Sequence, residues 1–133
     1  MNSRAVLVGL VVCFAASGSA WGQSNGAELV AGAGAFAARC AVCHGQGATG
    51  DGPYASLLKT PPPDLTRLAA RNEGRFPAAR IRSVIDGRRI PIAHGTKEMP
   101  IWGEVWSEAG EHDKEIRARI IDIVGYLRQL QKP

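Results

Sequence analysis

The 133-residue chain lacks the patterns of several protein classes. No stretch of useful length alternates apolar and polar residues, and no segment repeats, so a sheet protein and a solenoid are both excluded. The net charge is only +4, too mild to argue for nucleic acid. Beyond the N-terminal region no apolar run is long enough to cross a bilayer. Cysteine is scarce, with three residues at positions 13, 40 and 43. Apolar and charged fractions are ordinary for a globular domain, which excludes a disordered chain.

The first 22 residues have a composition of their own. Arg4 supplies a positive start, Ala5 to Ala16 form a nearly unbroken apolar run, and Ser17, Gly18, Ser19 and Ala20 are small. That order is the pattern of a secretory signal peptide. A spanning helix needs about 20 apolar residues, and this run is shorter. Val11 and Val12 are bulky where a lipid-attachment site at Cys13 needs small residues, so Cys13 is read as part of the leader. The expected division is a leader over 1–22 and one domain over 23–133. Cleavage is expected after Gly22, with Ala20 as the second choice. Losing Arg4, the one charge in the leader, takes the net charge from +4 to +3. Export, with the periplasm as the compartment, leaves Cys40 and Cys43 to form a disulfide or to hold a cofactor.

Helical periodicity organises the rest. Leu29, Gly32, Phe36 and Cys40 share one stripe of an alanine-rich segment from Glu28 to about Ala41. Gly32 and Gly34 each cost about 1 kcal/mol relative to Ala in a helix. Either another backbone packs close to Gly32 or the helix is simply weak. Residues 44–53, with four glycines, read as loop, and Tyr54 to Lys59 as a short turn. Pro61-Pro62-Pro63 forces an extended path. Asp64 suits the N-cap of a turn over Leu65 to Ala70. A helix follows Pro77, with Ile81, Val84 and Ile85 as its apolar face and Gly87 as its end. Residues 88–110 read as ordered loop around Met99, Trp102 and Trp106. The last helix carries Ile116, Ile120, Ile123, Val124, Leu127 and Leu130 at spacings of three and four. Acidic residues sit near its start, and Arg128 and Lys132 near its end. The class is all-α: three to four short helices and long loops. So little secondary structure buries limited apolar area, and a large cofactor would complete the core.

Cys40-Ala41-Val42-Cys43-His44 is the attachment pattern for c-type haem. On a helical turn the two thiols project to one side and reach two neighbouring vinyl groups, and His44 supplies an axial nitrogen to the iron. A zinc site would need two further ligands, with only His94 and His112 available. A redox dithiol of the thioredoxin kind needs a βαβ setting that is absent. For the opposite axial position the candidates are Met1, His94, Met99 and His112. Met1 leaves with the leader, and His112 stands among charges. His94 and Met99 share one loop, and spacing does not separate them.

Over essentially its whole mature length the chain resembles the class I c-type cytochromes. The likeness rests on Gly32-x3-Phe36-x3-Cys40-x2-Cys43-His44, on Gly52-Pro53, on Pro62-Pro63-Asp64-Leu65, on Met99-Pro100 and on Tyr126-Leu127. The resemblance implies a cytochrome c-like fold wrapped around one haem, with crossing terminal helices. It implies Met99 as the distal ligand and the Pro53 carbonyl as acceptor for the proximal His44. It also implies that Gly32 and Phe36 meet Tyr126. The short, glycine-rich loop from His44 to Pro53 departs from the family pattern. The four-helix c-type architecture carries its haem motif near the C-terminus and is disfavoured.

Trp102, Trp106 and Ile101 are expected to wall the haem crevice, and Arg75, Arg88, Arg89 and Lys97 to contact propionates, a partner or solvent. An iron with both axial positions filled leaves no place for substrate. The expected function is therefore an exported, monomeric electron carrier, not an enzyme, that docks transiently with a redox donor and acceptor at the haem edge. A dedicated subunit of a dehydrogenase or oxidase complex is the alternative. A haem enzyme or gas sensor would need an open iron. Mass measurement of the exported protein is expected to give a chain beginning at Gln23.

Overall fold

Alanine, the strongest helix former, dominates α1 (Gln23–Arg39). At the other end of the chain, α5 (Asp113–Gln129) buries Ile116, Ile120, Ile123, Val124 and Leu127. Burying such a side chain contributes about 1.5–3 kcal/mol, so α5 is the main apolar wall. Asp113 and Glu115 stand in its first turn and Arg128 in its last, matching the helix dipole. The Glu115 carboxylate accepts the His112 N–H at 3.0 Å and closes the start. The computed structural model describes residues 23–88 and 98–133.

Helices α1 and α5 cross at Gly32. A Cβ there would collide with the Asp122 carbonyl oxygen and lie 2.7 Å from its carbon and 3.0 Å from Tyr126 Cβ. One turn on, Phe36 is 1% exposed, and its ring lies 5.5 Å from that of Tyr126 at 50°. That tilted geometry is favourable for an aromatic pair. Close packing, not weakness, explains Gly32. A Cβ on Gly34 would meet nothing within 4 Å, so this glycine weakens the helix without a packing return.

Three further helices complete the α content of the described residues. The four-residue α2 (Ala41–His44) follows α1 after Cys40, whose N–H donates to the Phe36 carbonyl at 2.8 Å. Helix α3 (Ala78–Asp86) buries Ile81 and Ile85, whereas Val84 points outward at 44% exposure. Gly87, at φ 70°, ends it by donating its N–H to the Ser83 carbonyl. Helix α4 (Trp102–Glu108) replaces part of the loop expected over 88–110. Seven residues containing Gly103 carry little intrinsic helicity; packing supplies the rest. Trp106 is 3% exposed and shares the core cluster of α3 and α5. Gly103 allows close approach, since a Cβ would lie 2.5 Å from Arg88 Nε and 2.6 Å from the Asp86 carbonyl oxygen.

Ion pairs fasten these contacts. Arg88 donates to Asp86 at 2.6 and 3.2 Å and to Asp113 at 2.6 Å. Arg119 donates to Glu111 at 2.8 Å and lies 5.2 Å from the Trp106 ring centroid. Short 3-10 turns at Ala55–Leu57, Leu65–Arg67 and Ala70–Asn72 punctuate the long loop after α2. The chain end holds that loop down. The Lys132 N–H donates to the Thr66 carbonyl at 2.8 Å, and the Gln131 amide spans the Leu65 carbonyl and the Ala69 N–H. The architecture is all-α, with no strand among the described residues.

Gly32→Ala is expected to lower unfolding stability by about 1–3 kcal/mol through overpacking. Gly34→Ala is expected to raise it by about 0.5–1 kcal/mol through helix propensity. Denaturant unfolding of both variants checks the contrast.

Candidate haem-attachment site

The haem-type motif sits on a single helical turn. The Cys40 N–H still bonds the Phe36 carbonyl at 2.8 Å, and the His44 N–H bonds the Cys40 carbonyl at 2.9 Å. Cys40 and Cys43 are therefore three residues apart in helical geometry and face one side. Ala41 turns into the core, and Val42 turns out at 40% exposure. Gly45, at φ 77°, closes the turn with its N–H on the Ala41 carbonyl.

Both cysteines are free thiols. Burial, with Cys43 alongside, pushes the Cys40 thiol up to about 11. A redox dithiol needs a depressed thiol pKa, so this environment is the opposite of a thioredoxin-type site. Burial also lowers the His44 pKa below its ordinary value, with the Pro63 carbonyl pulling the other way. The imidazole is thus neutral at neutral pH, the form that ligates metal. His44 Nδ1 is buried without a partner in hydrogen-bond geometry. Two free thiols one turn apart, beside a neutral imidazole with an unsatisfied buried nitrogen, fit covalent haem.

The resemblance assigns the carbonyl partner of His44 to Pro53; the carbonyl that works against the lowering of the His44 pKa is that of Pro63. The physical reason lies in the intervening loop. Gly52 donates to the Cys43 carbonyl at 3.2 Å, and Tyr54 to the Val42 carbonyl at 2.9 Å. A Cβ on Gly52 would lie 2.6 Å from those same carbonyl oxygens. Exposed Pro53 is thereby held against the backbone of α2. Gly50 bonds the His44 carbonyl at 2.8 Å, and Leu65 bonds the Ala48 carbonyl at 2.8 Å. These two bonds draw the proline run across to the imidazole.

Met99 is half-buried and packs against the core cluster. Its neighbours are fixed on both sides. Glu98 accepts the Lys59 N–H at 2.6 Å and the Thr60 N–H at 3.2 Å. The Ile101 side chain packs on Gly87, where a Cβ would come 2.8 Å from Ile101 Cγ2. His112 is exposed at the start of α5. His94, Arg89, Lys97 and the leader over 1–22, with Met1 and Cys13, lie outside the described residues. Among the described residues no group of three or more His, Cys, Asp or Glu side chains could hold a metal ion, which gives zinc no support there.

The aromatic and basic expectations divide. Trp102 and Trp106 form a tilted pair at 5.4 Å, and Trp106 Nε1 is buried without a partner. Ile101 is exposed at 36%. Arg88 is committed to Asp86 and Asp113, and exposed Arg75 pairs with Glu73 at 3.1 Å. Sequence reasoning missed Pro63 and Glu98 as site residues. Pro63 stood inside a quoted motif without its role, and no local signal marked Glu98.

The family model described as Cytochrome c matches residues 29–131. The match takes in the Cys40–His44 turn, Pro63 and Met99. No curated protein and no solved structure matches the chain. No helix among the described residues is long and apolar enough to cross a membrane.

Asp64 holds the turn that follows Pro63. Its Oδ1 accepts the Thr66 N–H at 2.8 Å and the Thr66 hydroxyl at 2.6 Å. The bond from the Thr66 hydroxyl, the largest influence, lowers the carboxyl pKa from 3.8; burial, second in size, opposes it, and the Thr66 N–H, Arg71 and Lys132 add to the lowering. A depressed carboxyl pKa stabilises the fold above the unfolded value, and that share is lost as pH falls through the folded value. Unfolding between about pH 5 and 2 is expected to show a shallower acid loss in Asp64→Asn than in the parent chain.

Proposed function

The chain belongs to the cytochrome c family, and on that premise we propose an exported, monomeric electron carrier with one covalent haem c, ligated by His44 and Met99. The observation that carries this reading is the Cys40–His44 turn, with two free thiols one helical turn apart beside a half-buried imidazole. When bound, haem supplies an iron that gains or loses one electron. Cys40 and Cys43 hold the macrocycle by thioether bonds, which fixes its orientation on α2. His44 would hold the iron through an imidazole nitrogen, and Met99 would hold it through its thioether sulfur. With both residues on the iron, this chain would offer no place for substrate there, hence a carrier rather than an enzyme. The leader over 1–22 takes the protein to the periplasm, where such attachment sites are used.

Partners dock transiently at the haem edge. Val42 at 40%, Tyr54 at 55% and Leu57 at 74% exposure supply apolar surface beside the motif. They are linked, since Tyr54 bonds the Val42 carbonyl and Leu57 the Tyr54 carbonyl. The same surface favours a second reading, a dedicated cytochrome subunit of a dehydrogenase or oxidase complex. A stable stoichiometric complex in gently isolated native material would select that second reading.

Cys40→Ser and Cys43→Ser are each expected to lose one covalent attachment, and the double variant all haem retained after denaturation. In Met99→Ala the sulfur-to-iron charge-transfer band is expected to vanish, the reduction potential to fall and carbon monoxide to bind rapidly to the reduced protein. Persistence of the band in Met99→Ala would remove Met99 from the iron.

A further inference from the structure

Glu98 is a surface carboxylate with an unusual pair of partners. It accepts two consecutive backbone N–H groups, those of Lys59 and Thr60, at 2.6 and 3.2 Å across 39 and 38 residues of chain. Charge-assisted bonds of this kind are about twice as strong as neutral ones. The residue next to it is Met99. The residues it grips lead directly into Pro61-Pro62-Pro63, which packs on Gly50: a Cβ there would lie 3.3 Å from the Pro62 carbonyl carbon and 3.4 Å from that of Pro63, and the Gly50 N–H donates to the His44 carbonyl at 2.8 Å.

The proline run is stiff. Each ring holds φ near −65° and the segment cannot fold into a helix. Leu58 enters it extended, at φ −87° and ψ 142°. Three residues separate Thr60 from Pro63, a span of about 9 Å in the polyproline conformation. Downstream of Pro63, Leu65 is bonded to Ala48 at 2.8 Å, and the Asp64 side chain caps the next turn. One end of this strap therefore packs on Gly50, which is bonded to His44, and the other holds the residue adjacent to Met99. Ile101, seated on Gly87, fixes the strand from the far side.

We propose that Glu98 is a positioning residue: it ties the Met99 segment to the proline strap packed beside His44, and so sets how far Met99 stands from His44. This rests on the reading of Met99 as distal ligand. Glu98 touches neither iron nor substrate, and it acts through the backbone. Its loss frees Met99 to leave the iron more often without removing the sulfur, so the open form becomes more populated.

The holoprotein tests this by titration of the ferric form with imidazole, which competes with the distal sulfur. Glu98→Ala is expected to bind imidazole about tenfold more tightly, the scale of one charge-assisted hydrogen bond. Its charge-transfer band should weaken but persist. Glu98→Gln keeps one acceptor oxygen and is expected to recover part of the loss. Lys59→Pro deletes one donor from the opposite partner while leaving Glu98 intact, and the extended Leu58 tolerates a following proline. It is expected to shift imidazole affinity in the same direction by a smaller factor. Gly32→Ala, destabilised at the α1–α5 crossing, controls for global loosening and should keep the parent affinity. Parent-like imidazole affinity in Glu98→Ala, or an equal rise in Gly32→Ala, overturns the proposal. A band unchanged in Met99→Ala overturns the ligand assignment itself, a result that the Glu98 variants alone cannot produce.

Discussion

The close crossing of α1 and α5 at Gly32 sets the frame for everything else. Backbone meets backbone there, with the Asp122 carbonyl where a side chain would stand. Such an approach brings Phe36 against Tyr126 and pins the second half of α1. The Cys40–His44 turn grows from the end of that pinned helix, through the bond from Cys40 to the Phe36 carbonyl. The orientation of the attachment site is thus inherited from a helix crossing about two turns away. A site on a free loop would need its own means of holding two thiols and an imidazole to one side.

Electrostatics at the turn follow from the same burial. Removing thiols and an imidazole from water disfavours their charged forms, raising Cys40 and lowering His44. A thiol held neutral, as at Cys40, is a poor redox nucleophile, and a neutral imidazole is a metal ligand. The chemistry of the motif is therefore selected by packing as well as by residue type. A general dithiol motif, placed where it is solvated and near positive charge, would do different work.

The long middle loop is held by point contacts rather than by secondary structure. Glycine at 52 lets it lie on the carbonyls of α2, and hydrogen bonds from Gly50 and Leu65 bring the prolines to His44. Gln131 and Lys132, beyond α5, clamp residues 65–69 from below. Buried Thr66, at 2% exposure, sits where these contacts meet. The loop is consequently an ordered strap between the two ends of the molecule.

Local patterns made much of this legible. The apolar spacing of α5, the glycine end of α3 and the Asp64 cap are written in short stretches, because a helix repeats every 3.6 residues and caps act within one turn. Cys40 to His44 announced attachment for the same reason: the chemistry needs only neighbours in sequence. Other features depend on contacts that no local window contains. Helix α4 exists because Trp106 finds a core and Gly103 finds Asp86 and Arg88. The proline run lies beside His44 because hydrogen bonds from Gly50 to His44 and from Leu65 to Ala48 join parts of the loop that are distant in sequence. The grip of Glu98 on Lys59 and Thr60 joins residues nearly forty apart. The sequence by itself determined the helical class and the attachment turn. The tertiary structure alone decided which part of the middle loop packs beside His44 and what holds the segment of Met99, since a contact across a loop is settled by where the rest of the chain packs.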